Sequence, residues 1–326
     1  MTAWTNEELG TAQQLEVASL RALSVEVRPL RVELRRADDQ RRNADDDAPA
    51  RAADSEAVGV STRPSRAARV FVTGSADGLG RAAAQALLEQ GHKVVVHARN
   101  QDRLRAVREL LERGAAAVVG DLSDPEETRD VAGQVNRLGR MDAVIHNAGV
   151  VSGSRVLPVN VVAPYLLTAL IHRPRRLVYL SSGMHRGGRA RLTGMDWSGH
   201  RATGSYSDSK LFVTTLAAAV ARIWTDVFSN AVDPGWVPTK MGGPGAPDDL
   251  RLGRLTQVWL ATSDDPEART SGGYWYHQLR ADPAPSVHDE RFQDRLLEEL
   301  ARFTGTRLVS PAGEPRGRND LVTPPA

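Results

Sequence analysis

The sequence predicts an α/β fold: one domain with a doubly wound parallel sheet of about seven strands and helices on both faces. Short apolar segments alternate with longer amphipathic ones from residue 69 onward. The apolar segments are rich in valine, as expected of strands buried on both faces. A glycine-rich turn directly follows the first of them and opens a helix, Thr73-Gly74-Ser75-Ala76-Asp77-Gly78-Leu79-Gly80. Strands joined through helices lie parallel, so their carboxyl ends should meet at one edge of the sheet.

The strands and helices follow one another in a regular order. We predict strands at 70–72, 93–97, 116–119, 141–146, 176–180, 227–232 and 273–276. Helices are predicted at 78–90, 101–113, 159–171 and 205–224, with another beginning at Pro125. Gly91 and Gly114 suit the left-handed position that ends a helix, and Pro125 suits a first helical turn. The crossovers between these strands should be right-handed.

The two ends of the chain differ from its middle. Residues 1–66 crowd arginine with acidic residues, including Asp45-Asp46-Asp47, and Pro29 interrupts their weak leucine stripe. Such a segment buries little apolar surface, so we predict a disordered extension. A functional arm and a start codon assigned too far upstream are the alternatives. We place the folded domain at 67–305 and a loose tail at 306–326, where prolines are frequent.

Composition excludes several classes of function. The chain has 326 residues, a net charge of +2 and no basic block, so we expect no nucleic-acid partner. It has no cysteine, which excludes disulfides and thiolate ligands, and its histidines are scattered, so we predict no metal. The longest apolar run, 156–171, is too short to span a bilayer and is broken by prolines. We therefore expect a cytoplasmic protein without a membrane partner.

The glycine turn is placed where a nucleotide phosphate would bind. Gly74 permits a tight turn, while Gly78 and Gly80 let backbone approach a pyrophosphate at the helix N-terminus. Ser75, Asp77 and Leu79 complete the predicted contact segment. A plain turn is the competing interpretation, but the position between a strand and a helix favours the cofactor.

The end of the second strand indicates which cofactor. An acidic residue there would favour NAD, whereas this strand ends His97-Ala98-Arg99-Asn100. Arg99 can bind the 2′-phosphate of NADP by a forked contact, so we favour NADP(H), with NAD(H) possible. A solvated surface arginine is the alternative, and Asp77 in the glycine turn counts slightly against NADP.

Polar turns follow the third and fourth strands as well. Asp121-Leu122 lies where an adenine ring would bind, and Asn147-Ala148-Gly149 lies near the expected reversal of strand order. Ordinary turn chemistry would explain both segments equally well.

Candidate catalytic groups come from the second half of the chain. Tyr206 and Lys210 stand four residues apart on one face of a predicted helix. Ser181 and Ser182 end the fifth strand, and because side chains alternate there, only one of them can face a substrate. Asn160 lies in an apolar setting, so it is a structural hydrogen-bonding residue, a member of a polar relay, or both.

Taken in order, these motifs resemble the short-chain dehydrogenase/reductase family in its single-domain branch, a Rossmann-type fold. The motifs are the glycine turn, Asn147-Ala148-Gly149, Asn160, Ser182, Tyr206-x-x-x-Lys210 and Pro234-Gly235-x-Val237-x-Thr239. The resemblance covers about 67–305. Ser181-Ser182-Gly183-Met184-His185-Arg186 is most similar to the retinol-dehydrogenase-like group. Two departures are the short interval between Asn147 and Asn160 and the presence of His146 where the family more often has asparagine.

The resemblance implies a role for each matching residue. Tyr206 would transfer a proton, and the charge of Lys210 would favour its phenolate. Both would also contact the cofactor, with Lys210 bonding the nicotinamide ribose. Ser182 would donate a hydrogen bond to the carbonyl oxygen, and Asn160 would hold a water that links Lys210 to solvent. Four residues would border the nicotinamide: Pro234, Gly235, Val237 and Thr239. The helix of Tyr206 is a possible homodimer interface.

The sequence thus predicts an oxidoreductase that interconverts a carbonyl and an alcohol with NADP(H). A regulator that senses NADP without turnover is one alternative, although such proteins usually lose the tyrosine or the lysine. A nucleotide-sugar epimerase is another, although only about ninety residues follow Pro234, too few for its substrate domain. Loops 183–204 and 236–250 should wall the pocket, and they suit an apolar or aromatic carbonyl substrate.

Overall fold

The computed structural model describes residues 67–309, so the predictions for 1–66 and 310–326 lie outside the described residues. The described chain contains an eight-stranded sheet in the order β3-β2-β1-β4-β5-β6-β7-β8. The strands are β1 (Arg69–Val72), β2 (Lys93–Ala98), β3 (Ala116–Val119), β4 (Ala143–His146), β5 (Arg176–Leu180), β6 (Phe228–Asp233), β7 (Tyr274–Tyr276) and β8 (Leu279–Ala281). Every neighbouring pair is parallel except β7 and β8. The predicted α/β fold is confirmed, with one strand more than expected.

The strand order reverses between β1 and β4. From β1 the chain builds outward through β2 to β3, then returns to place β4 on the other side of β1. Val72 pairs with Ile145, so these two strands end side by side. The turns that follow them therefore face each other across the crevice where ligands of such sheets bind.

Helices cover both faces of the sheet. They are α1 (Gly78–Glu89), α2 (Gln101–Leu104), α3 (Arg108–Glu112), α4 (Pro125–Arg137), α5 (Ala163–Leu170), α6 (Tyr206–Ile223), α7 (Leu250–Thr262) and α8 (Glu290–Thr304). Phe71 and Tyr179 pack on one face with α4, α5, α6 and α8. Val70 and Val72 pack on the other face with α1, α3 and α7. Alternate strand residues thus enter two separate cores, which explains the valine-rich strands.

Two predicted helices are interrupted. A 3-10 turn at Arg105–Val107 divides the helix expected at 101–113. The carbonyl of Ala106 accepts a hydrogen bond from Arg81 of α1, which competes with the helical bonds. The helix expected at 159–171 begins with a π turn, Pro158–Val162, and continues as α5.

Three elements were missed from the sequence: α7, β8 and α8. The turn between β7 and β8 has positive φ angles at His277 (48°) and Gln278 (63°), where glycine or asparagine would have indicated a hairpin. By contrast, α8 does carry a visible apolar stripe, with Phe292, Leu296 and Leu300 all fully buried.

The last described residues lie against the domain. The Tyr165 hydroxyl donates to the Thr306 carbonyl (2.8 Å), and the Trp224 indole donates to the Val309 carbonyl (2.8 Å). Residues 306–309 are therefore held by specific bonds. Within residues 67–309, no helix combines the length and the apolar character needed to cross a bilayer.

Candidate active site

The glycine turn is interlocked with the Asn-Ala-Gly turn. The Thr73 hydroxyl accepts hydrogen bonds from the amides of Asn147 and Ala148, both at 2.9 Å. Asn147 Nδ2 donates to the Thr73 carbonyl (2.9 Å). A Cβ at Gly74 would lie 2.9 Å from Ala148 Cα, and one at Gly80 would lie 2.3 Å from Asn147 Nδ2. Both glycines are therefore required by the neighbouring turn, and Asn147 is a structural brace.

An ionic cluster lies at the N-terminus of α1. Asp77 caps the helix by accepting from the Gly78 amide (2.9 Å). The same carboxylate lies 2.7 Å from Lys240 Nζ and 3.5 Å from Arg103 Nη2. The hydrogen bond with Lys240 holds the pKa of Asp77 below its usual value, against the opposing effect of burial. Lys240 and Arg103 are distant in sequence and were not predicted.

The segment after β6 lies over this helix start. A Cβ at Gly78, whose φ is +51°, would lie 3.2 Å from Thr239 Cγ2. The predicted phosphate turn and the predicted nicotinamide segment therefore face each other, as a cofactor that touches both requires. The next residue, Leu79, contacts α7: its Cδ2 lies 3.1 Å from the Cβ position of Gly253.

Ser75 and His97 hold the glycine turn from beneath. Ser75 is fully buried; its hydroxyl donates to the Val72 carbonyl and accepts from the His97 amide (2.8 and 2.7 Å). His97 Nδ1 accepts from the Gly74 amide (3.0 Å), while Nε2 faces the Gly120 carbonyl (2.8 Å). Burial lowers the pKa of His97, consistent with a neutral ring. The Ser75 hydroxyl is thus engaged internally, and His97 is an additional support.

The other residues predicted to bind the cofactor follow β2 and β3, and their exposure differs. Arg99 is exposed directly after β2. After β3, Asp121 accepts from the amide and hydroxyl of Ser123 (2.9 and 2.8 Å) and lies 3.8 Å from Arg155. Leu122 packs into the core beside α4. Asp121 and Arg99 therefore border the open edge, whereas the Leu122 side chain points inward.

Tyr206 and Lys210 meet at the start of α6. Ser205 and Asp208 form a capping box there, which places Tyr206 in the first turn. Lys210 Nζ lies 5.5 Å from the centroid of the Tyr206 ring and donates to the Leu180 carbonyl (2.7 Å). Burial lowers the pKa of Lys210 to about 8. The side chain is therefore charged at neutral pH and close to the phenol.

Asp208 fastens the loop before α6 to the helix start. It is 1% exposed and accepts from the Ser205 amide (3.0 Å) and the Arg189 amide (2.8 Å). The Arg189 guanidinium lies 3.1 Å from Asp208 Oδ2, the oxygen that also accepts from the Ser205 amide. Burial alone would raise the pKa of Asp208, but these hydrogen bonds bring it below the usual value.

Asn160 lies in the π turn and links two parts of the site. Its Oδ1 accepts from the Val150 amide, and its Nδ2 donates to the Val150 carbonyl and the Ser209 hydroxyl, all at 2.9 Å. A Cβ at Gly149 would lie 3.4 Å from Asn160 Oδ1 and 3.6 Å from Lys210 Nζ. Asn160 is thus a structural hydrogen-bonding residue that borders the same small space as the lysine, so the two interpretations are compatible.

The two serines after β5 have different surroundings. Ser181 is buried, and its hydroxyl bonds with Thr214 of α6 (2.6 Å). Ser182 is half-buried, and its hydroxyl oxygen accepts from the Met184 amide (3.2 Å), which leaves its hydrogen free to donate. Only Ser182 therefore presents its hydroxyl at the carboxyl edge.

Two carboxylates, the buried Asp233 and the half-buried Asp248, anchor the segment after β6. The Gly235 amide donates to Asp233 Oδ1 (3.0 Å), and the Trp236 amide donates to Asp248 Oδ2 (2.6 Å). Gly235 has a φ of +80°. Val237 is buried, and a Cβ at Gly253 would meet both Val237 and the Pro234 carbonyl. Asp233 was not predicted, although it directly precedes the Pro-Gly motif.

His146 has a packing role. It stacks on Tyr179 with ring centroids 4.6 Å apart, and Nε2 lies 3.1 Å from the Thr168 hydroxyl. Complete burial lowers its pKa to about 3.

Among residues 67–309, no three metal-ligating side chains converge. The carboxyl edge of the sheet brings together the glycine turn, which is suited to an anion, a phenol beside an ammonium group, and a serine hydroxyl. Together these groups can transfer a proton to a bound carbonyl.

Comparison with known proteins agrees with this geometry. Residues 68–173 match the family model described as short chain dehydrogenase. An uncharacterized oxidoreductase of Emericella nidulans is 39% identical over 252 residues, covering 73% of this chain and 97% of the relative. Human retinol dehydrogenase 13 is 26% identical over 295 residues (76% and 88%), in line with the predicted subgroup. The solved RhlG/NADP active-site complex of Pseudomonas aeruginosa has a TM-score of 0.54 at 20% identity, covering 65% and 95%, and shows the shared fold. The chain belongs to the short-chain dehydrogenase family of oxidoreductases.

Proposed function

We propose that this protein is a carbonyl reductase or alcohol dehydrogenase that uses NADP(H), with Asn160, Ser182, Tyr206 and Lys210 as its catalytic set. The observation that carries the proposal is the buried Lys210 ammonium beside the Tyr206 ring, at the same sheet edge as the free Ser182 hydroxyl. A phenol titrates near 10 in water, so proton transfer near neutral pH needs a nearby positive charge.

The residues present fit a nicotinamide dinucleotide. Gly74 and Gly78 keep side chains away from the N-terminus of α1, where the helix dipole favours an anion, and the segment of Thr239 lies opposite. When bound, this cofactor supplies or accepts the hydride. Lys210 and Tyr206 would hold its nicotinamide ribose, and the Pro234-Gly235 turn would border the ring.

Basic residues near the glycine turn favour NADP(H) over NAD(H). Lys240 and Arg103 both reach Asp77, so the single acidic residue of the turn is offset by two cations. Arg99 adds a third cation after β2. A 2′-phosphate would replace Asp77 as their partner through charge-assisted hydrogen bonds. The relative solved with NADP adds support at the level of the fold.

Each catalytic residue has a defined task in carbonyl reduction. Ser182 donates a hydrogen bond to the carbonyl oxygen and stabilises the negative charge that develops there. Tyr206 gives its proton to that oxygen, and Lys210 stabilises the phenolate left behind. Since the pKa of Lys210 is about 8, this support is present below pH 8 and is lost as the pH rises through it. Asn160 keeps the neighbouring turn and α6 in place.

The substrate we favour is an apolar or aromatic carbonyl compound. Val151 and Met241 are large apolar side chains left 44% and 45% exposed. Met241 lies next to Gly149, with its Cε 3.9 Å from that residue's Cβ position, and therefore close to Lys210. Apolar surface that remains exposed beside polar groups is typical of a ligand-binding site.

The test is a panel of aldehydes, ketones and alcohols with NADPH and NADH, followed at the nicotinamide absorbance. Tyr206→Phe should abolish turnover while NADPH binding changes little; unchanged turnover would refute the catalytic set. Arg99→Asp should shift preference toward NADH, and unaltered preference would remove the role of Arg99. Tight NADPH binding by the wild type without turnover of any compound would instead favour a sensor.

A further inference from the structure

His185 supports the backbone of Ser182 from inside the protein. Its ring is fully buried, with Nδ1 2.7 Å from the Ser182 carbonyl and Nε2 2.9 Å from the Ala284 amide. A carbonyl only accepts, so Nδ1 carries the proton, and Nε2 accepts from the amide. Both ring nitrogens are therefore satisfied in one neutral tautomer, in agreement with burial lowering the pKa of His185 to about 4.

The ring of His185 continues into a second buried contact. It packs against Tyr274 of β7 with ring centroids 4.6 Å apart. The Tyr274 hydroxyl donates to Asp233 Oδ2 (3.2 Å), and Asp233 Oδ1 accepts from the Gly235 amide (3.0 Å). A continuous path thus runs from Ser182 at the end of β5 to Gly235 after β6.

Charged groups surround the acidic end of this path. Arg186 lies over the Tyr274 ring, with its Cζ 5.3 Å from the ring centroid. Burial raises the pKa of the Asp233 carboxyl, and the nearby Arg186 and His277 partly oppose that effect. Lys210 faces Asp233 from α6, and the negative charge of Asp233 partly counters the effect of burial on Lys210. The path is therefore buried and bonded at each polar atom, as a rigid internal network must be.

We propose that His185, Tyr274 and Asp233 form a brace that holds the Ser182 hydroxyl and the Gly235 turn at a fixed separation. The proposal rests on the proposed function, because those two segments would flank the carbonyl oxygen and the nicotinamide ring. All three members are positioning residues. Hydride transfer tolerates little displacement, and an error of about 1 Å can reduce the rate about 100-fold.

Two amide side chains, each of which reproduces one ring nitrogen, separate the two bonds of His185. In His185→Gln the amide reaches the position of Nε2 and keeps an acceptor for Ala284, but the side-chain donor to the Ser182 carbonyl is lost and only the backbone amide of residue 185 (3.0 Å) still donates to it. In His185→Asn the donor near Ser182 is kept and the bond to Ala284 is lost. With NADPH and 4-nitrobenzaldehyde as probe, we expect kcat to fall about 10- to 100-fold in the glutamine variant and less in the asparagine variant. The exposed His172→Gln should match the wild type.

A second readout does not depend on turnover. His185 lies on the serine side, yet the brace predicts that His185→Gln weakens NADPH binding several-fold. We expect the same of Asp233→Ala, which removes the acceptor of both the Tyr274 hydroxyl and the Gly235 amide, because both changes release the Gly235 turn. NADPH fluorescence titrations of both single variants and the double variant test this. If the two residues are coupled, the double variant should bind NADPH hardly more weakly than the weaker-binding single variant. If their effects are independent, the two losses of affinity should multiply. Tyr274→Phe should remove the coupling and keep the ring contact.

Several results would overturn the brace. Multiplicative losses of NADPH affinity in the double variant would do so, as would wild-type affinity in His185→Gln. Losses in kcat that merely follow the melting temperatures of the variants would also count against it. These outcomes differ from failure of the proposed function, which would appear as an inactive wild type or an active Tyr206→Phe.

Discussion

Replacing Thr73 by valine should loosen the nucleotide turn without changing the size of the side chain. The Thr73 hydroxyl is the acceptor for the Ala148 amide and a second acceptor for the Asn147 amide, which also donates to the Ile145 carbonyl (3.0 Å). Leaving the partly buried Ala148 amide unpaired costs about 1–3 kcal/mol. The Asn147 amide costs less, because it keeps its bond to the Ile145 carbonyl. We therefore expect the free energy of unfolding to fall by about 2 kcal/mol.

The same change should weaken cofactor binding, because the Asn147 turn and the glycine turn are held together through this hydroxyl. Urea unfolding gives the change in stability, and NADPH fluorescence gives the change in affinity. A loss of about 2 kcal/mol corresponds to a melting temperature roughly 4–8 °C lower in a domain of this size. Thr73→Ser keeps the hydroxyl and is the matched control. If the valine variant equals the serine variant in both measurements, the bridging role of the hydroxyl is refuted.

Three further predictions concern charged and titratable groups. Lys240→Ala should weaken binding of NADPH more than that of NADH in parallel titrations; equal losses would exclude a role in recognising the extra phosphate. His146→Asn should flatten the pH dependence of the free energy of unfolding between pH 6.5 and 5. The buried ring (pKa about 3) stays neutral in the folded protein, whereas the ring in the unfolded chain binds a proton as the pH falls below 6.5. Urea unfolding that shows the same pH dependence in the variant and the wild type would contradict this. Asp208→Ala should cost about 2–3 kcal/mol by leaving the part-buried amides of Ser205 and Arg189 unpaired, whereas Arg189→Ala should cost less than about 1 kcal/mol, since that guanidinium is solvated. Thermal unfolding showing the reverse order would refute this account.

Local sequence signals predicted the strands and the motif positions well. The glycine turn, the Asn-Ala-Gly turn and the capped start of α6 depend on neighbouring residues, so their patterns are visible in the chain. The sequence could not distinguish residues that face a ligand from those that hold a turn. The side chains of Ser75 and Leu122 are engaged inside the protein, so the cofactor contacts predicted for these two residues would have to come from their backbone.

Contacts between distant segments could not be predicted. Lys240 reaches Asp77 across more than 160 residues, and His185 bonds the Ala284 amide 99 residues away. Neither contact leaves a local pattern. The β7–β8 hairpin was missed for another reason: its turn uses His277 and Gln278 in a conformation that usually calls for glycine or asparagine.

The interlocked turns also determine when the nucleotide site can form during folding. The bond from the Ala148 amide to Thr73 closes a separation of 75 residues. The glycine turn therefore gains its final shape only after β4 has been synthesised and paired with β1, although all its own residues emerge much earlier. Such long-range closure is slow compared with local helix formation. A nucleotide that binds only the closed arrangement would add its binding free energy to that late step, so cofactor supply should raise the yield of refolded protein more than the rate of early collapse.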